Sequence, residues 1–192
     1  MKKKTTTTKD TQSLSAHQPA SKMKNDRALE GDVIQLILRD HQPLKKLIQT
    51  LKKSEIERAE NEPTFEEFAG LLIIHAKAEE KSLYVEMKGT PGLRLEGFEG
   101  DTEHAIAEQL VQEINATPDD HEWSAKVKVL AESVEHHINE EEEHMLAKVA
   151  ETLESSARQK IGDLYTEIKG ELESVHRPLP LRSRKIIENR LN

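Results

Sequence analysis

Apolar residues recur every three or four positions along most of the chain between residues 32 and 172. This spacing matches the repeat of the α-helix, about 3.6 residues, and places the apolar side chains on one face of each helix. No segment shows the strict alternation of apolar and polar residues that is typical of a β-strand. The pattern predicts an all-α protein, an antiparallel up-down four-helix bundle with an additional short C-terminal helix.

Local signals predict the bounds of these helices. Thr64 and Glu67 form the pattern of a capping box, which predicts a helix start, whereas four glycines and a proline predict a loop over residues 89–100. The third helix is therefore expected to be the shortest of the bundle. The predicted helices run approximately from Asp32 to Leu51, Thr64 to Met87, Thr102 to Asn115, Pro118 to Met145 and Ser155 to Leu172.

Charge and composition divide the chain into three predicted parts. Residues 1–28 are polar and predict a disordered basic N-terminal tail, residues 29–174 form the bundle, and residues 175–192 form a basic C-terminal tail. Residues 28–176 contain 16 basic and 33 acidic residues, a net charge of −17. We expect no nucleic-acid partner for this acidic body, because phosphate recognition needs a positive face.

Composition also predicts where in the cell the protein is located and which metal ligands it can offer. The longest apolar runs, such as residues 71–74, are far shorter than the roughly 18 residues that a transmembrane helix needs, so no membrane contact is expected. The lysines near the N-terminus are not followed by the apolar segment of a secretory signal, which predicts a cytoplasmic location. The absence of cysteine excludes disulfides and thiolate metal sites, and it leaves nitrogen and oxygen atoms as metal ligands.

Three histidines lie on the apolar faces that must point into the bundle: His41, His75 and His137. Glu79 and Glu141 follow two of them by four residues, so each pair shares one helix face. A buried ionised glutamate is costly unless a cation neutralises it. Imidazole and carboxylate suit divalent iron, manganese or zinc, and a carboxylate has two oxygens with which to bridge two ions. These residues therefore predict a dinuclear metal site.

The third predicted helix repeats the spacing with His104 and Glu108, at the edge of its apolar face. His104 is a predicted ligand, and Glu108 is a candidate seventh ligand. If Glu108 does not ligate, water or an exogenous anion fills the position. His144 follows His137 by two turns and returns to nearly the same face, so it is a further candidate.

Each of these features also has a structural explanation without a metal. A single histidine on an apolar face is often a hydrogen-bonded core residue, and a histidine four residues before a glutamate often forms a surface ion pair. His136 and Glu140 have that spacing but point about 100° away from the apolar face, so we expect an exposed pair. Within residues 140–143, only Glu141 is expected to point inward, and the other three glutamates are expected to be solvated. Four helices that each carry an inward or near-inward histidine favour the metal site.

The segments around these residues resemble the hemerythrin family, in the broad bacterial form described by its His-His-Glu cation-binding motif. They are RDHQPLKKL around His41, HAKAEEKSLY from His75, EHAIAEQL around His104 and HHINEEEEHML from His136, and the resemblance covers about residues 32–172. It implies an antiparallel four-helix bundle with an oxo- or hydroxo-bridged di-iron centre. The implied iron ligands, with the two glutamates as bridges, are His41, His75, Glu79, His104, His137 and Glu141.

The sequence departs from the oxygen-carrying hemerythrins at two positions. Glu108 stands where those proteins have a second histidine in the third helix, and Glu142 stands where they have an aspartate in the fourth. Helical phase favours Glu141 over Glu142 as the ligand. The pattern is closer to iron–sulfur repair di-iron proteins and iron-sensing hemerythrin domains, although it lacks the cysteine-bearing N-terminal region of many of the former. More carboxylate and fewer histidines favour oxidised iron over reversible oxygen carriage.

The leading functional hypothesis is a di-iron protein that binds or reacts with O2, NO or peroxide for sensing, storage or detoxification. One alternative is iron handling, as a ferroxidase or an iron-responsive regulator. The other is a metal-free helical interaction module whose histidines are structural. The sequence is compatible with a monomer or a dimer.

Overall fold

The described part of the chain is helical throughout. The computed structural model describes residues 31–53 and 57–175, and within these ranges every regular element is a helix. The elements are α1 (Val33–Leu51), α2 (Arg58–Glu80), α3 (Leu83–Gly89), α4 (Arg94–Ala116), α5 (Asp120–Glu140), a π-helical segment (Glu141–Met145), α6 (Leu146–Thr152) and α7 (Ser155–Val175). The predicted all-α fold is confirmed. The predicted tails lie almost entirely outside the described residues, so the three-part division of the chain stays a prediction.

Four long helices form the bundle, and each packs against the next in a ring of α1, α2, α4 and α5. Short connections join them, such as residues 117–119 between α4 and α5. The predicted additional C-terminal helix is present as α7, which packs against both α1 and α2. It is 21 residues long, the length of α5, and is therefore not short. No described helix combines the length and apolar character needed to cross a bilayer.

The predicted bounds of the second helix are wrong at both ends. The helix begins at Arg58 rather than Thr64, because Arg58 Nη1 donates to the Thr117 carbonyl at 2.9 Å and its guanidinium lies 5.5 Å from the centre of the Trp123 ring. These contacts, with the connection after α4 and with α5, stabilise the extra turns. Continuity to Met87 is also wrong, since α2 ends at Glu80 and α3 follows after Ser82.

The prediction for the third bundle helix is wrong as well. Helix α4 begins at Arg94 rather than Thr102 and, at 23 residues, is as long as α2. Gly97 and Gly100 belong to the predicted loop, but both lie inside this helix and are buried. A Cβ atom on Gly100 would lie 2.6 Å from Tyr84 Cζ, so this glycine allows α4 to approach α3 closely. Packing between the helices thus outweighs the low helix propensity of glycine.

The buried apolar residues form two clusters that are separated along the bundle by a polar layer. Helix α1 shows the arrangement: Ile37 belongs to one cluster, Leu44 belongs to the other, and the buried His41 lies between them. On α5 and the π-helical segment, Val134 and Met145 flank the polar positions in the same way. Apolar side chains therefore cover the polar layer from both ends.

The close approach at Gly100 leads to a first prediction. We expect Gly100→Ala to destabilise the metal-free fold by about 1–3 kcal/mol, because the new methyl group collides with the fully buried Tyr84 ring. The matched control is Gly70→Ala on the exposed side of α2, where no atom lies within 4 Å of the added Cβ. That substitution should stabilise the fold by about 0.5–1 kcal/mol. Urea denaturation measures both, and equal stabilities would contradict the prediction.

Candidate metal centre

The polar layer contains six residues that could ligate a metal, contributed by four helices and the π-helical segment. None of the six has more than 6% of its surface exposed. Each bundle helix reaches the layer at its inward-facing position, as the sequence periodicity predicts. The six residues are His41 of α1, His75 and Glu79 of α2, His104 of α4, His137 of α5, and Glu141 of the π-helical segment.

Two groups of donors in this layer are each compact enough to hold a metal ion. Within each group the donor atoms lie within 4.8 Å of one another, and Glu79 belongs to both groups. Glu79 Oε2 lies 3.3 Å from His75 Nε2 and 3.5 Å from His104 Nε2. Its carboxylate thus occupies a position between two sites. The first group consists of His41, His75, Glu79 and Glu141. The second group consists of Glu79, His104 and His137.

Glu141 also lies between the two groups. Its Oε2 atom is 3.2 Å from His41 Nε2 and 3.6 Å from His137 Nε2, while its Oε1 atom accepts a 2.8 Å hydrogen bond from the Tyr84 hydroxyl. The Tyr84 ring stacks on His104, with the ring centres 5.2 Å apart. Tyr84 therefore contacts both the carboxylate and one histidine of the layer.

Several donor atoms of the layer are buried without a hydrogen-bond partner. Both carboxylate oxygens of Glu79 are in this state, as are Oε2 of Glu141 and Nε2 of His41 and His75. Such atoms are costly in the absence of a cation. The donors are nitrogen and carboxylate oxygen only, a set that fits divalent iron, manganese or zinc. The layer therefore has the chemistry of a metal centre.

The two carboxylates have opposite shifts in pKa. Burial and the nearby Glu141 raise the pKa of Glu79 well above its ordinary value, so the metal-free protein favours its protonated form. Burial alone would raise the pKa of Glu141, but His137 and His41 outweigh burial and lower it. Burial and the neighbouring His41 lower the pKa of His75, which keeps that ring neutral. A neutral imidazole has a free nitrogen lone pair for a metal.

Comparison with known families agrees with this geometry. The family model described as Hemerythrin HHE cation binding domain matches residues 32–149, more than half of the chain. The chain belongs to the hemerythrin family. No curated protein and no solved structure matches it. The matched hemerythrin domain contains all six residues of the layer, whereas α7 lies beyond its end.

Outside the layer, each of its four histidines has an oxygen atom near the second ring nitrogen. In all four rings Nδ1 points away from the layer, and Nε2 points into it. In metal sites, contacts of this kind fix the orientation of the ligating histidines. The sequence does not predict these partners, since no local spacing relates them to the histidines. The Nδ1 distances are 2.9 Å from His41 to Glu142, 3.1 Å from His75 to Tyr165, 3.6 Å from His104 to Glu80 and 2.6 Å from His137 to Glu103.

The expectation that Glu142 is solvated is wrong. It is partly buried, and besides its contact with His41 its Oε2 accepts a 2.6 Å hydrogen bond from Lys45. Glu141 and Glu142 both lie in the π-helical segment, whose turn is wider than that of an α-helix. Both reach α1, where they contact the two ring nitrogens of His41.

The structure does not bring Glu108 or His144 into the layer. Glu108 is 35% exposed and pairs with Lys77 Nζ at 2.7 Å. His144 is exposed. His136 and Glu140 form the exposed pair that helical phase predicts, 3.4 Å apart. The hemerythrin domain thus assembles six of the seven predicted ligands, and ligation by Glu108 stays a prediction.

A cavity of about 580 Å³ lies beside the polar layer, between α4 and the π-helical segment. His137 and Glu141 of the layer line it, and Met145 and Gly100 contribute apolar surface. Four further glutamates and Lys148 also line it. A small molecule or a metal ion can reach one side of the layer by this route.

Proposed function

We propose that this chain binds two iron ions and that the di-iron centre binds or reacts with a small molecule, O2, NO or H2O2, in sensing, storage or detoxification. The unpartnered buried oxygens of Glu79, placed between two groups of histidines, carry the proposal. Iron rather than manganese or zinc is proposed from the hemerythrin family. The proposed ligands are His41, His75, Glu79, His104, His137 and Glu141.

The residues of the layer have distinct proposed roles. His41 and His75 would hold one ion and His104 and His137 the other, while Glu79 and Glu141 would contribute carboxylate oxygens to both. Bound iron supplies the redox chemistry. The chain supplies the apolar clusters that exclude water from both ends of the layer, and Tyr84 holds Glu141 by its hydrogen bond.

The cavity supports a small-molecule ligand. It reaches His137 and Glu141 but not the His41 and His75 side of the layer. Glu108, the candidate seventh ligand, pairs with Lys77 instead. We therefore propose that the small molecule would reach the centre on the side of His137.

Metal analysis of the reconstituted protein tests the proposal. We expect two irons per chain after anaerobic loading with ferrous iron, and visible absorption bands of a bridged di-iron centre after exposure to air. Parallel loading with manganese and zinc identifies the preferred metal. Less than one iron per chain, with no such bands, would contradict the proposal.

Two neighbouring histidines provide a matched test of the ligand assignment. His137→Ala removes a buried donor of the layer, so we expect the iron content to fall by at least half. His136→Ala removes the adjacent, 70% exposed histidine and should leave the iron content unchanged. Equal iron contents in the two variants would contradict the placement of His137 at the centre.

Iron handling, as a ferroxidase or an iron-responsive regulator, is the second candidate. The lining of the cavity favours it, because four glutamates besides Glu141 outnumber the single lysine there and attract cations toward the layer. Repeated oxidation of added ferrous iron beyond the resident ions would support a ferroxidase. Oxidation that stops once the centre is full would favour the small-molecule role. A cytoplasmic location and the choice between monomer and dimer stay predictions.

A further inference from the structure

Helix α7 contributes a polar group to the centre although it lies outside the matched hemerythrin domain. It packs against α1 and α2, and its buried residues are Ile161, Gly162 and Tyr165. An apolar ring would suffice to cover the bundle at position 165. Instead the chain has a tyrosine with only 1% of its surface exposed, and its hydroxyl group points at the polar layer.

The hydrogen bonds of Tyr165 have a defined direction. Its hydroxyl donates to Asp40 Oδ2 at 2.6 Å, and Lys169 Nζ donates to the other Asp40 oxygen at 2.5 Å. Because its single proton is used on Asp40, the Tyr165 oxygen accepts from His75 Nδ1, which lies 3.1 Å away. His75 therefore carries its proton on Nδ1, and the lone pair on Nε2 points toward Glu79, 3.3 Å away.

The hydrogen bond to Tyr165 selects between the two neutral forms of the His75 ring. A neutral imidazole exists as one of two tautomers, and only the tautomer with the proton on Nδ1 has a free Nε2 for a metal on the Glu79 side.

We infer that Tyr165 is a positioning residue that holds His75 in its metal-binding tautomer and orientation, and that docking of α7 is thereby coupled to metal binding. The metal part of this inference rests on the proposed function. Coupling is reciprocal: a docked α7 raises the affinity for metal, and bound metal stabilises the docked helix. The C-terminal helix is on this view part of the metal centre rather than a cover for the bundle.

The variant Tyr165→Phe separates positioning from packing, since it keeps the ring and removes only the hydroxyl. The matched control is Ile161→Val on the same helix, which removes one buried methyl group and has no polar contact with the layer. Both changes should lower the stability of the fold slightly and to a similar extent. A purely structural role for the hydroxyl would therefore give the two variants similar properties.

The first measurement uses metal-free protein and ¹⁵N NMR of the histidine rings at constant neutral pH. We expect His75 to carry its proton on Nδ1 in the wild type and in Ile161→Val. In Tyr165→Phe we expect a mixture of both tautomers. An unchanged Nδ1 tautomer in Tyr165→Phe would overturn the inference.

The second measurement is the affinity for ferrous iron under anaerobic conditions. We expect Tyr165→Phe to bind about 10- to 100-fold more weakly than the wild type, as for other residues that orient metal ligands. Ile161→Val should match the wild type. Iron should also slow amide hydrogen exchange in residues 155–175 of the wild type, and less so in Tyr165→Phe.

The outcomes separate the inference from the proposed function. If the wild type binds iron and Tyr165→Phe binds it equally well, the inference fails and the di-iron proposal stands. If the wild type binds no metal, the di-iron proposal and the coupling to metal both fail. The tautomer of His75 in the metal-free protein then still decides whether Tyr165 positions that ring.

Discussion

Replacement of Glu79 by leucine is expected to abolish metal binding and, at the same time, to stabilise the metal-free protein. Glu79 is fully buried, and neither of its oxygens has a hydrogen-bond partner. Burial and Glu141 raise its pKa, which means that its charged form is disfavoured in the metal-free fold. Exchanging a poorly compensated buried polar group for an apolar one of similar volume is expected to stabilise the fold by about 1–4 kcal/mol.

Urea denaturation in the presence of a chelator measures the stability of Glu79→Leu, and metal analysis after reconstitution measures its iron content. The matched control is Glu108→Gln, which tests the candidate seventh ligand. Because Glu108 is 35% exposed and pairs with Lys77, this control should change stability by less than about 1 kcal/mol and should keep its iron. A metal-free Glu79→Leu protein that is less stable than the wild type would contradict the prediction. Loss of iron from Glu108→Gln would establish Glu108 as a ligand.

Metal loading is expected to raise the melting temperature of the wild type strongly. The unfolded chain cannot assemble donors from α1, α2, α4 and α5, so the ions bind the folded state alone. At a free metal concentration about 1,000 times the dissociation constant, one site adds about 4.1 kcal/mol to the free energy of unfolding. For a chain of this size that corresponds to a rise in melting temperature on the order of 10 °C.

Calorimetry of chelated and iron-loaded protein, recorded at one protein concentration, measures this rise. Glu79→Leu is the control, since it should melt at the same temperature with and without iron. This experiment also tests the metal-free interaction module. A wild-type melting temperature that does not change on chelation would support that module and would argue against both metal-binding proposals.

The sequence by itself determined the helical fold and the inward faces of the bundle helices. Periodicity alone placed His41, His75 and His137 on buried positions, and the four-residue spacing placed Glu79 and Glu141 beside them. Such inferences succeed because the turn of a helix relates residues three and four apart by geometry that does not depend on the rest of the protein. The absence of cysteine likewise determined the type of donor atom.

Only the tertiary structure decided where several helices begin and end. The extra turns of α2 depend on contacts of Arg58 with Thr117 and Trp123, and the early start of α4 depends on the fit of Gly100 against Tyr84. Local signals such as the capping box and the glycine-rich stretch indicate intrinsic preferences of a segment. Packing between segments overrides those preferences when it buries enough surface.

The residues around the layer were also decided by tertiary structure alone. Three residues that contact the layer each belong to a different helix from the layer residue that they contact: Tyr84, Glu142 and Tyr165. Along the chain, 90 residues separate Tyr165 from His75. Glu142 lies in a π-helical segment, whose turn is wider than the α-helical repeat on which the prediction rests. Periodicity thus specified the buried donors one helix at a time, but which groups orient them depends on how helices distant in sequence pack together.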